Sequence, residues 1–364
     1  MGDDVDMDGG SVPERWRAQF EEAAVGLDDS GGARIVREDR GLYRTTVDGV
    51  SYAAEVTGAF RHGHVDSEEF PAVGDWVVAT RVGDEEKLRI HAVVPRATVF
   101  RRTGVDGTSD AQVVAANVDT VFIVVGMDGD FNVRRVERYI ALGYESGAQP
   151  VVVLSKSDLV DAPEVFVGEI ESVAIGVPVH VISSIARDGV EALQEYLGAG
   201  KTVACLGSSG AGKSTLINAL LGEEVMATGS VREDDSRGRH MTTHRQLIEL
   251  ANGASLIDTP GMRELQLTGD DEGLSAAFED VEALIGQCRF GDCGHGNEPG
   301  CAIRVALESG ELDAARFRSY EKLQRELAYV QRRQGESYDY KERQRTKALG
   351  KYYKRTQNEK KNRF

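Results

Sequence analysis

Residues 207–214 read Gly207-Ser208-Ser209-Gly210-Ala211-Gly212-Lys213-Ser214, which matches the pattern G-x-x-x-x-G-K-S. The run follows an apolar, strand-like segment over 202–206 and opens a helix-like pattern at Lys213. Glycines in such a turn let successive backbone N–H groups point at anionic oxygens. We therefore expect a phosphate loop that binds a nucleoside triphosphate. Lys213 would contact the β- and γ-phosphates, and the Ser214 hydroxyl would ligate Mg²⁺.

The sequence around the phosphate loop alternates between strand-like and helix-like patterns. Apolar runs over 120–125, 150–154, 178–182, 202–206 and 255–257 are separated by helix-like segments such as 133–146 and 213–221. This alternation predicts an α/β domain with a largely parallel sheet covered by helices.

A second motif, the base motif Ser155-Lys156-Ser157-Asp158, follows the strand-like run at 150–154. It is similar to the N-K-x-D guanine motif of GTPases, with Ser155 in place of the usual asparagine. An aspartate accepts both the N1–H and the exocyclic N–H of guanine, a donor pair that adenine lacks. Taken alone the motif is weak, and Asp158 as a helix cap is an equal alternative.

Three further segments favour a GTPase. Ser183 and Ser184 follow the run 178–182, where GTPases keep a loop whose backbone N–H meets guanine O6. Asp258-Thr259-Pro260-Gly261 matches D-x-P-G, the loop that binds Mg²⁺ through its aspartate and senses the γ-phosphate through its Gly261 N–H. A polar stretch over 238–243 has the character of a mobile switch.

The order of these motifs resembles that of the circularly permuted RsgA GTPases, a family also called YjeQ. The base loops precede the phosphate loop and the switches come last, whereas ordinary GTPases have the base loops last. The same sheet can form in either order because core contacts do not depend on where the chain ends lie. The resemblance implies an OB-fold, a permuted GTPase domain and a zinc-binding C-terminal domain. It also implies GTP hydrolysis to GDP and phosphate, stimulated by the small ribosomal subunit late in that subunit's maturation.

The resemblance also implies residue roles. Phosphate contacts fall on the phosphate loop from Gly207 to Thr215, and base roles fall on Lys156, Asp158 and Ser184, with Ser155 and Ser183 beside them. His240 matches the histidine to which the family's hydrolysis is ascribed. Met241 replaces the first threonine of the switch, so either Thr242 or Thr243 could ligate magnesium. Met262 occupies the position where many GTPases use glutamine to orient water, which supports His240 as the catalytic residue; an ordinary surface histidine is the alternative.

A cysteine cluster predicts a structural zinc site. Cys288, Cys293, His295 and Cys301 lie within fourteen residues, and Cys₃His is a closed tetrahedral ligand set. His244 is an alternative donor, although it belongs to the switch region.

These features divide the chain into five regions. Residues 1–32 are expected to form an acidic flexible tail with one short helix near 16–24. Five strand-like runs between 33 and 94 predict a small barrel over 33–102, of the OB type or, on pattern alone, SH3-like. The permuted GTPase domain is assigned to 103–270, the helical zinc-binding domain to 271–334 and a basic tail to 335–364.

Charge is strongly uneven along the 364 residues, whose net charge is −17. Residues 316–364 contain sixteen Lys or Arg against six Asp or Glu, whereas the preceding residues contain 27 against 54. The basic end is suited to ribosomal RNA, and a solvated helix without a partner is the alternative. No run approaches the roughly 20 apolar residues that cross a bilayer, and Met1–Gly10 lacks the features of a secretion signal.

We therefore expect a cytoplasmic monomer that contacts the small ribosomal subunit and no membrane. Two alternatives remain open. One is an RNA-binding assembly scaffold whose nucleotide site is only structural, and the other is an ATPase with the same phosphate loop.

Overall fold

A computed structural model gives the architecture of the chain. It describes residues 12–39, 41–64, 66–83, 86–102, 112–222, 246–258, 265, 267 and 271–333. The described residues form an N-terminal β-barrel, a central α/β sheet and a C-terminal group of helices.

The N-terminal barrel is five-stranded and closed. Its strands are β1 (Ser30–Asp39), β2 (Leu42–Val47), β3 (Val50–Val56), β4 (Trp76–Arg81) and β5 (Lys87–Val93). They pair in the order β1-β2-β3-β5-β4, and β4 pairs again with β1, with β3 and β5 parallel. Alternate side chains fill the interior, including Ile35, Tyr43 and Leu88. This pairing confirms the OB-type barrel over the SH3-like alternative.

The segment before the barrel is packed rather than flexible beyond residue 12, so that part of the tail prediction is wrong. Helix α1 (Glu14–Ala23) buries Trp16 and Phe20 against Trp76 of the barrel. The short helix expected near 16–24 is confirmed, but its two aromatic residues bury enough apolar surface to hold it on the barrel. A second short helix, α2 (Gly58–Gly63), follows β3.

Two short strands join the barrel to the central sheet. Strands β6 (Val99–Arg102) and β7 (Gln112–Ala116) form an antiparallel pair of their own. The expected boundary between residues 102 and 103 falls between these two strands.

The central sheet alternates with helices as the sequence predicts. Its elements in chain order are β8 (Thr120–Gly126), α3 (Val133–Glu145), β9 (Gln149–Ser155), α4 (Pro163–Glu171), β10 (Val179–Val181), β11 (Thr202–Leu206), α5 (Lys213–Leu221), β12 (Gln246–Glu249) and β13 (Ser255–Asp258). The spatial order is β10-β9-β8-β11-β13-β12, with only β12 antiparallel to its neighbour in this group.

Both faces of this sheet are buried. Along β8, Val121 and Ile123 point into the core shared with α3, while Phe122 and Val124 point into the core shared with α5. A strand covered on both faces is apolar at every position, and residues 121–125 are indeed all apolar in the sequence.

The barrel and the central sheet are continuous. Strand β12 pairs with β1 through Arg37 and Gln246, so eleven strands form one hydrogen-bonded sheet. The buried Arg34 adds a hydrogen bond of 2.6 Å to the hydroxyl of Thr202, at the start of β11.

Between residues 271 and 333 the chain forms four helices: α6 (Asp271–Ala277), α7 (Glu279–Ile285), α8 (Ala302–Ser309) and α9 over 314–333. Helices α6 and α7 are separated at the buried Phe278, which belongs to neither helix. Helix α6 lies close against α3, since a Cβ at Gly273 would stand 2.5 Å from the backbone nitrogen of Glu145.

Arginine 316 of α9 joins this region to the central sheet. Its guanidinium contacts both oxygens of Asp280 at 2.6 and 2.7 Å and Glu137 of α3 at 3.1 Å. It also stacks over Phe278 and is 3% exposed. Burial raises the pKa of Glu137, although the nearby Arg134 and Arg316 lower it. The charged form of this carboxylate therefore depends on its arginine partners.

Candidate nucleotide-binding site and zinc cluster

The motifs found in the sequence meet at one edge of the central sheet. The base motif begins at the last residue of β9, the Ser183–Ser184 loop follows β10, and the phosphate loop follows β11. Asp258 is the last residue of β13. Since these strands are parallel, their carboxyl ends share an edge, which is where ligands of open α/β sheets bind.

The phosphate loop has a backbone that its glycines make possible. Gly207 has φ +153°, and a Cβ there would lie 2.3 Å from the Val124 carbonyl oxygen; Gly212, before α5, has φ +94°. The Lys213 ammonium donates to the carbonyls of Gly207 and Ser208 at 2.9 and 2.6 Å. The lysine therefore lies across the loop, at the start of a helix whose first N–H groups favour anions.

The hydroxyl of Ser155 connects the base motif to the phosphate loop. It donates to the carbonyl of Ala211 at 2.6 Å, with the Val125 carbonyl 3.2 Å away, and the residue is 1% exposed. Serine in place of asparagine thus still bonds to the phosphate loop.

The base-motif carboxylate is held by the neighbouring loop. Asp158 accepts a hydrogen bond of 2.6 Å from the hydroxyl of Ser183, and the same Ser183 oxygen accepts the Ala186 N–H at 3.0 Å. The Ser184 hydroxyl is buried and has no hydrogen-bond partner among the residues described. The structure therefore places Asp158 in contact with the loop that the sequence assigns to guanine.

Asp258 lies beside the phosphate-loop strand. Asp258 is 8% exposed. The pKa of the Cys205 thiol is raised to about 12, because this thiol is buried and the charge of Asp258 lies near it. This carboxylate therefore lies near the start of the loop in which Lys213 sits.

Two aspartates that motif matching does not select also lie at this edge. The loop after β8 contains Asp128, which bonds to Lys156, and Asp130, which bonds to the side chain of Ser208. A signal was available in the sequence, because polar residues directly after a buried parallel strand point to this edge of a sheet.

The four expected zinc ligands come together. The ligand atoms of Cys288, Cys293, His295 and Cys301 all lie within 4.8 Å of one another. His295 Nδ1 is 3.6 Å from the Cys288 sulfur and 3.7 Å from the Cys301 sulfur. A tetrahedral zinc ion with ordinary bond lengths requires a sulfur–nitrogen separation of about 3.6 Å. Both donor chemistry and spacing fit zinc.

Backbone groups and a carboxylate organise the cluster. Cys301 precedes α8 and accepts the Arg304 N–H at 3.4 Å. Although burial opposes it, hydrogen bonds from the Ala302 and Ile303 amides lower the pKa of Cys288, which favours the thiolate that zinc binds. Glu298, which sequence analysis did not select, accepts the Gly294 N–H at 3.1 Å inside the loop.

Comparison with known proteins agrees with this arrangement. Residues 93–268 match the family model described as RsgA GTPase. "Small ribosomal subunit biogenesis GTPase RsgA 1" of Oceanobacillus iheyensis is 45% identical over 89% of this chain and 92% of its own length. The RsgA protein of Opitutus terrae is 51% identical over 77% of this chain and 79% of its own.

The chain belongs to the RsgA GTPase family.

Solved structures agree with RsgA membership. YjeQ from Thermotoga maritima aligns with a TM-score of 0.60 and 26% identity, covering 83% of this chain and 98% of its own. YloQ, described as a circularly permuted GTPase, aligns with a TM-score of 0.58 over 85% of this chain and 98% of its own; at 22% identity it supports the fold. The expected circular permutation and GTPase class are thereby confirmed.

Some predicted residues of this RsgA-family chain lie outside the described residues. These are His240, Thr242, Thr243, His244, Gly261 and the basic tail over 335–364. Within the described part of the chain, no helix combines the length and the apolar character that a membrane span needs.

Proposed function

We propose that this RsgA-family GTPase acts in late maturation of the small ribosomal subunit and that the subunit stimulates its hydrolysis of GTP. The supporting observation is the edge of the central sheet where the loops after β9, β10 and β11 and the end of β13 meet in permuted order. The curated relatives carry small-subunit biogenesis in their names.

In this proposal the phosphate loop binds GTP and GDP through its backbone N–H groups. The contacts are made by Gly207, Ser208, Ser209, Gly210, Ala211, Gly212, Lys213, Ser214 and Thr215. The Lys213 ammonium, which donates to the carbonyls of Gly207 and Ser208 across the loop, would donate to the β- and γ-phosphates of the nucleotide. Ser214, Asp258 and Thr242 would hold the magnesium ion, which would supply positive charge to the phosphates, and the Gly261 N–H would contact the γ-phosphate.

Guanine is recognised by the carboxylate of Asp158, by the stem of Lys156, which covers the face of the base, and by the backbone N–H of Ser184. The Ser183 hydroxyl fixes the carboxylate of Asp158, which then accepts from the base. Ser155 keeps the base motif in register with the phosphate loop through the Ala211 carbonyl. An adenine base offers no donor pair to this carboxylate, so the site favours GTP over ATP.

His240 orients the attacking water in this proposal, since Met262 cannot donate or accept a useful hydrogen bond there. His240→Ala should keep GTP affinity and lose subunit-stimulated turnover. Full stimulated turnover in that variant would contradict the catalytic role.

The other regions bind the ribosome or support that binding. The barrel over 33–102 and the basic tail over 335–364 contact ribosomal RNA, and the domain over 271–334 is stabilised by one zinc ion on Cys288, Cys293, His295 and Cys301. The permuted GTPase domain spans 103–270. The protein acts as a cytoplasmic monomer with no membrane partner.

The decisive experiment compares hydrolysis of GTP and ATP with and without purified small ribosomal subunits. We expect the protein to hydrolyse GTP and not ATP, and we expect small ribosomal subunits to accelerate the hydrolysis of GTP. An RNA-binding scaffold would show no acceleration, and an ATPase would accept ATP.

A base variant separates guanine recognition from phosphate binding. Asp158→Asn replaces one of the two acceptor oxygens by an NH₂ donor, which cannot bond to a guanine N–H but can bond to the C2 carbonyl of xanthine. The variant should therefore lose preference for GTP over xanthosine triphosphate while keeping the phosphate loop intact. Asp161→Asn, an exposed carboxylate in the next turn, is the matched control and should bind as wild type does.

A further inference from the structure

The loop after β8, residues 127–132, lies between the two halves of the nucleotide site. Strand β8 pairs with β9 on one side and with β11 on the other. Its carboxyl end therefore emerges between the base motif and the phosphate loop. This loop contains Asp128 and Asp130, which no family motif in the sequence accounts for.

Asp128 holds the lysine of the base motif. Its Oδ2 accepts a hydrogen bond of 2.6 Å from Lys156 Nζ, and its Oδ1 accepts the Asp130 N–H at 2.9 Å. Although partial burial opposes it, the bond from Lys156 lowers the pKa of Asp128, so the carboxylate is charged at neutral pH. Both side chains are only about one-third exposed, at 28% for Lys156 and 30% for Asp128.

The backbone on both sides is shaped for this contact. Lys156 has φ +65° and ψ +38°, a left-handed conformation that a lysine rarely adopts. A Cβ at Gly126 would stand 2.9 Å from Asp128 Oδ2, so glycine is what leaves room for the carboxylate.

Asp130 extends the same loop to the phosphate side. It accepts hydrogen bonds of 2.6 and 3.1 Å from Arg135 at the start of α3 and another from the Ser208 side chain. The loop is thus fixed to the helix behind it and to the phosphate loop, which keeps Asp128 at a set distance from both halves of the site.

We propose that Asp128 is a positioning residue for guanine binding, acting by holding Lys156 in the conformation in which its stem covers the base. The proposal rests on the proposed role of Lys156. A free lysine side chain samples many rotamers, and ordering it opposes binding. Because the Asp128 contact holds Lys156 in one conformation, nucleotide binding loses less side-chain entropy.

The test is a double-mutant cycle on the affinity for the fluorescent nucleotide mant-GDP. Asp128→Asn should weaken binding about tenfold, which is within the range expected from lysine rotamer entropy. Lys156→Ala should weaken binding as well, and the double variant should be no weaker than Lys156→Ala alone. A tenfold effect of Asp128→Asn that persists in the Lys156→Ala background would show that Asp128 acts by some other route and would overturn the proposal.

Two controls complete the experiment. Asp161→Asn removes a nearby exposed carboxylate and should leave mant-GDP affinity unchanged, and thermal unfolding of each variant separates loss of fold from loss of binding. Asp158→Asn tests the base site itself. If it changes base preference while Asp128→Asn has no effect on affinity, only the positioning role is wrong. If Asp158→Asn leaves base preference unchanged, the proposed base site and the positioning role are both wrong.

Discussion

Single side chains decide how the two halves of the nucleotide site stay in register. Ser155 is the example, because its one hydroxyl proton is donated to the Ala211 carbonyl from a fully buried position. A buried carbonyl that loses its donor retains the cost of desolvation, so the contact matters more than its single hydrogen bond suggests. The shorter serine can do this because β9 and the phosphate loop approach closely: a Cβ at Gly212 would be 3.5 Å from the Ser155 oxygen.

Ser155→Ala should therefore lower both stability and nucleotide affinity. Loss of one hydrogen bond to a buried carbonyl corresponds to about 1 kcal/mol in the free energy of unfolding and about a fivefold weaker affinity for mant-GDP. Urea unfolding and fluorescence titration measure the two quantities. Ser172→Ala, which removes an exposed hydroxyl bonded to Glu169 on α4, should change neither. Equal behaviour of the two variants would refute this account of Ser155.

The residues of the site differ in how well the sequence predicts them. Lys213, Asp258 and the zinc ligands stand in dense motifs whose chemistry depends on local spacing, so their positions follow from the sequence. Asp128 stands in no motif. Its place directly after a buried strand indicates the edge of the sheet on which it lies, but its contact with Lys156 depends on β8 lying between β9 and β11, and strand order is a tertiary property.

Among the elements, helix α6 shows how one residue sets the distance between two helices. Gly273 faces α3, where a Cβ would meet the Glu145 nitrogen at 2.5 Å and the Ala141 carbonyl oxygen at 2.7 Å. Backbone atoms cannot move aside as a flexible side chain can. The helices would have to separate, and the apolar contacts around Leu274 and Phe278 would loosen.

Gly273→Ala should accordingly destabilise the protein by about 2 kcal/mol, a typical cost of overpacking. The matched control is Gly168→Ala in α4, where nothing lies within 4 Å of the new methyl group. That control should be neutral or stabilising by up to about 1 kcal/mol, because alanine favours helix over glycine. Calorimetric melting of the two variants measures the difference, and a stable Gly273→Ala protein would contradict the close packing.

The loop between α7 and α8 should depend on its metal. We expect about one zinc per chain, and Cys293→Ser should abolish it because three remaining ligands leave the tetrahedral set open. Cys205→Ala, which changes the buried cysteine outside the cluster, should retain the metal. Metal analysis of the purified proteins gives the answer. Full zinc content in Cys293→Ser would show that another residue completes the site.

Sequence patterns predict elements better than their junctions. The strands of the barrel and the central sheet follow from apolar alternation and apolar runs. The break between α6 and α7 does not, because Phe278 is apolar and its place in the sequence fits a continuous helix, whereas in the structure Phe278 lies outside both helices and is buried. The packing of α1 against the barrel could not be predicted either. The acidic residues around α1 are typical of a flexible tail, and the residues that Trp16 and Phe20 contact lie on the barrel, far away in the sequence.

At the level of the whole molecule, Arg316 determines how the C-terminal helices sit on the GTPase domain. It is the shared partner of Glu137 on α3 and Asp280 on α7, and all three charges are removed from most of the solvent. Arg138 and Glu326 form a second, more exposed contact between α3 and α9 at 2.6 and 2.7 Å. The Arg316 contact should dominate, because the Arg316 and Glu137 side chains are 4% and 1% exposed, whereas Arg138 and Glu326 are each 26% exposed and more strongly screened by solvent.

Arg316→Met should cost about 3 kcal/mol of stability, since it removes the arginine that pairs with Asp280 and leaves the buried Glu137 with Arg134 only. Arg318→Met changes an exposed arginine on the same helix and should cost less than about 0.5 kcal/mol. Both are measured by urea unfolding. Similar values for the two variants would mean that the buried contact does not stabilise the docking of α9.

The pairing of β1 with β12 bears on how the protein can be divided for experiments. A recombinant fragment that starts after the barrel would remove the β1 partner of Gln246 and make β12 the outer strand of the sheet, and such an edge is a known template for aggregation. It would also lose the partner of Thr202. Poor solubility of such a fragment would therefore result from the removal of the barrel. Enzyme assays are best performed on a protein that includes the barrel.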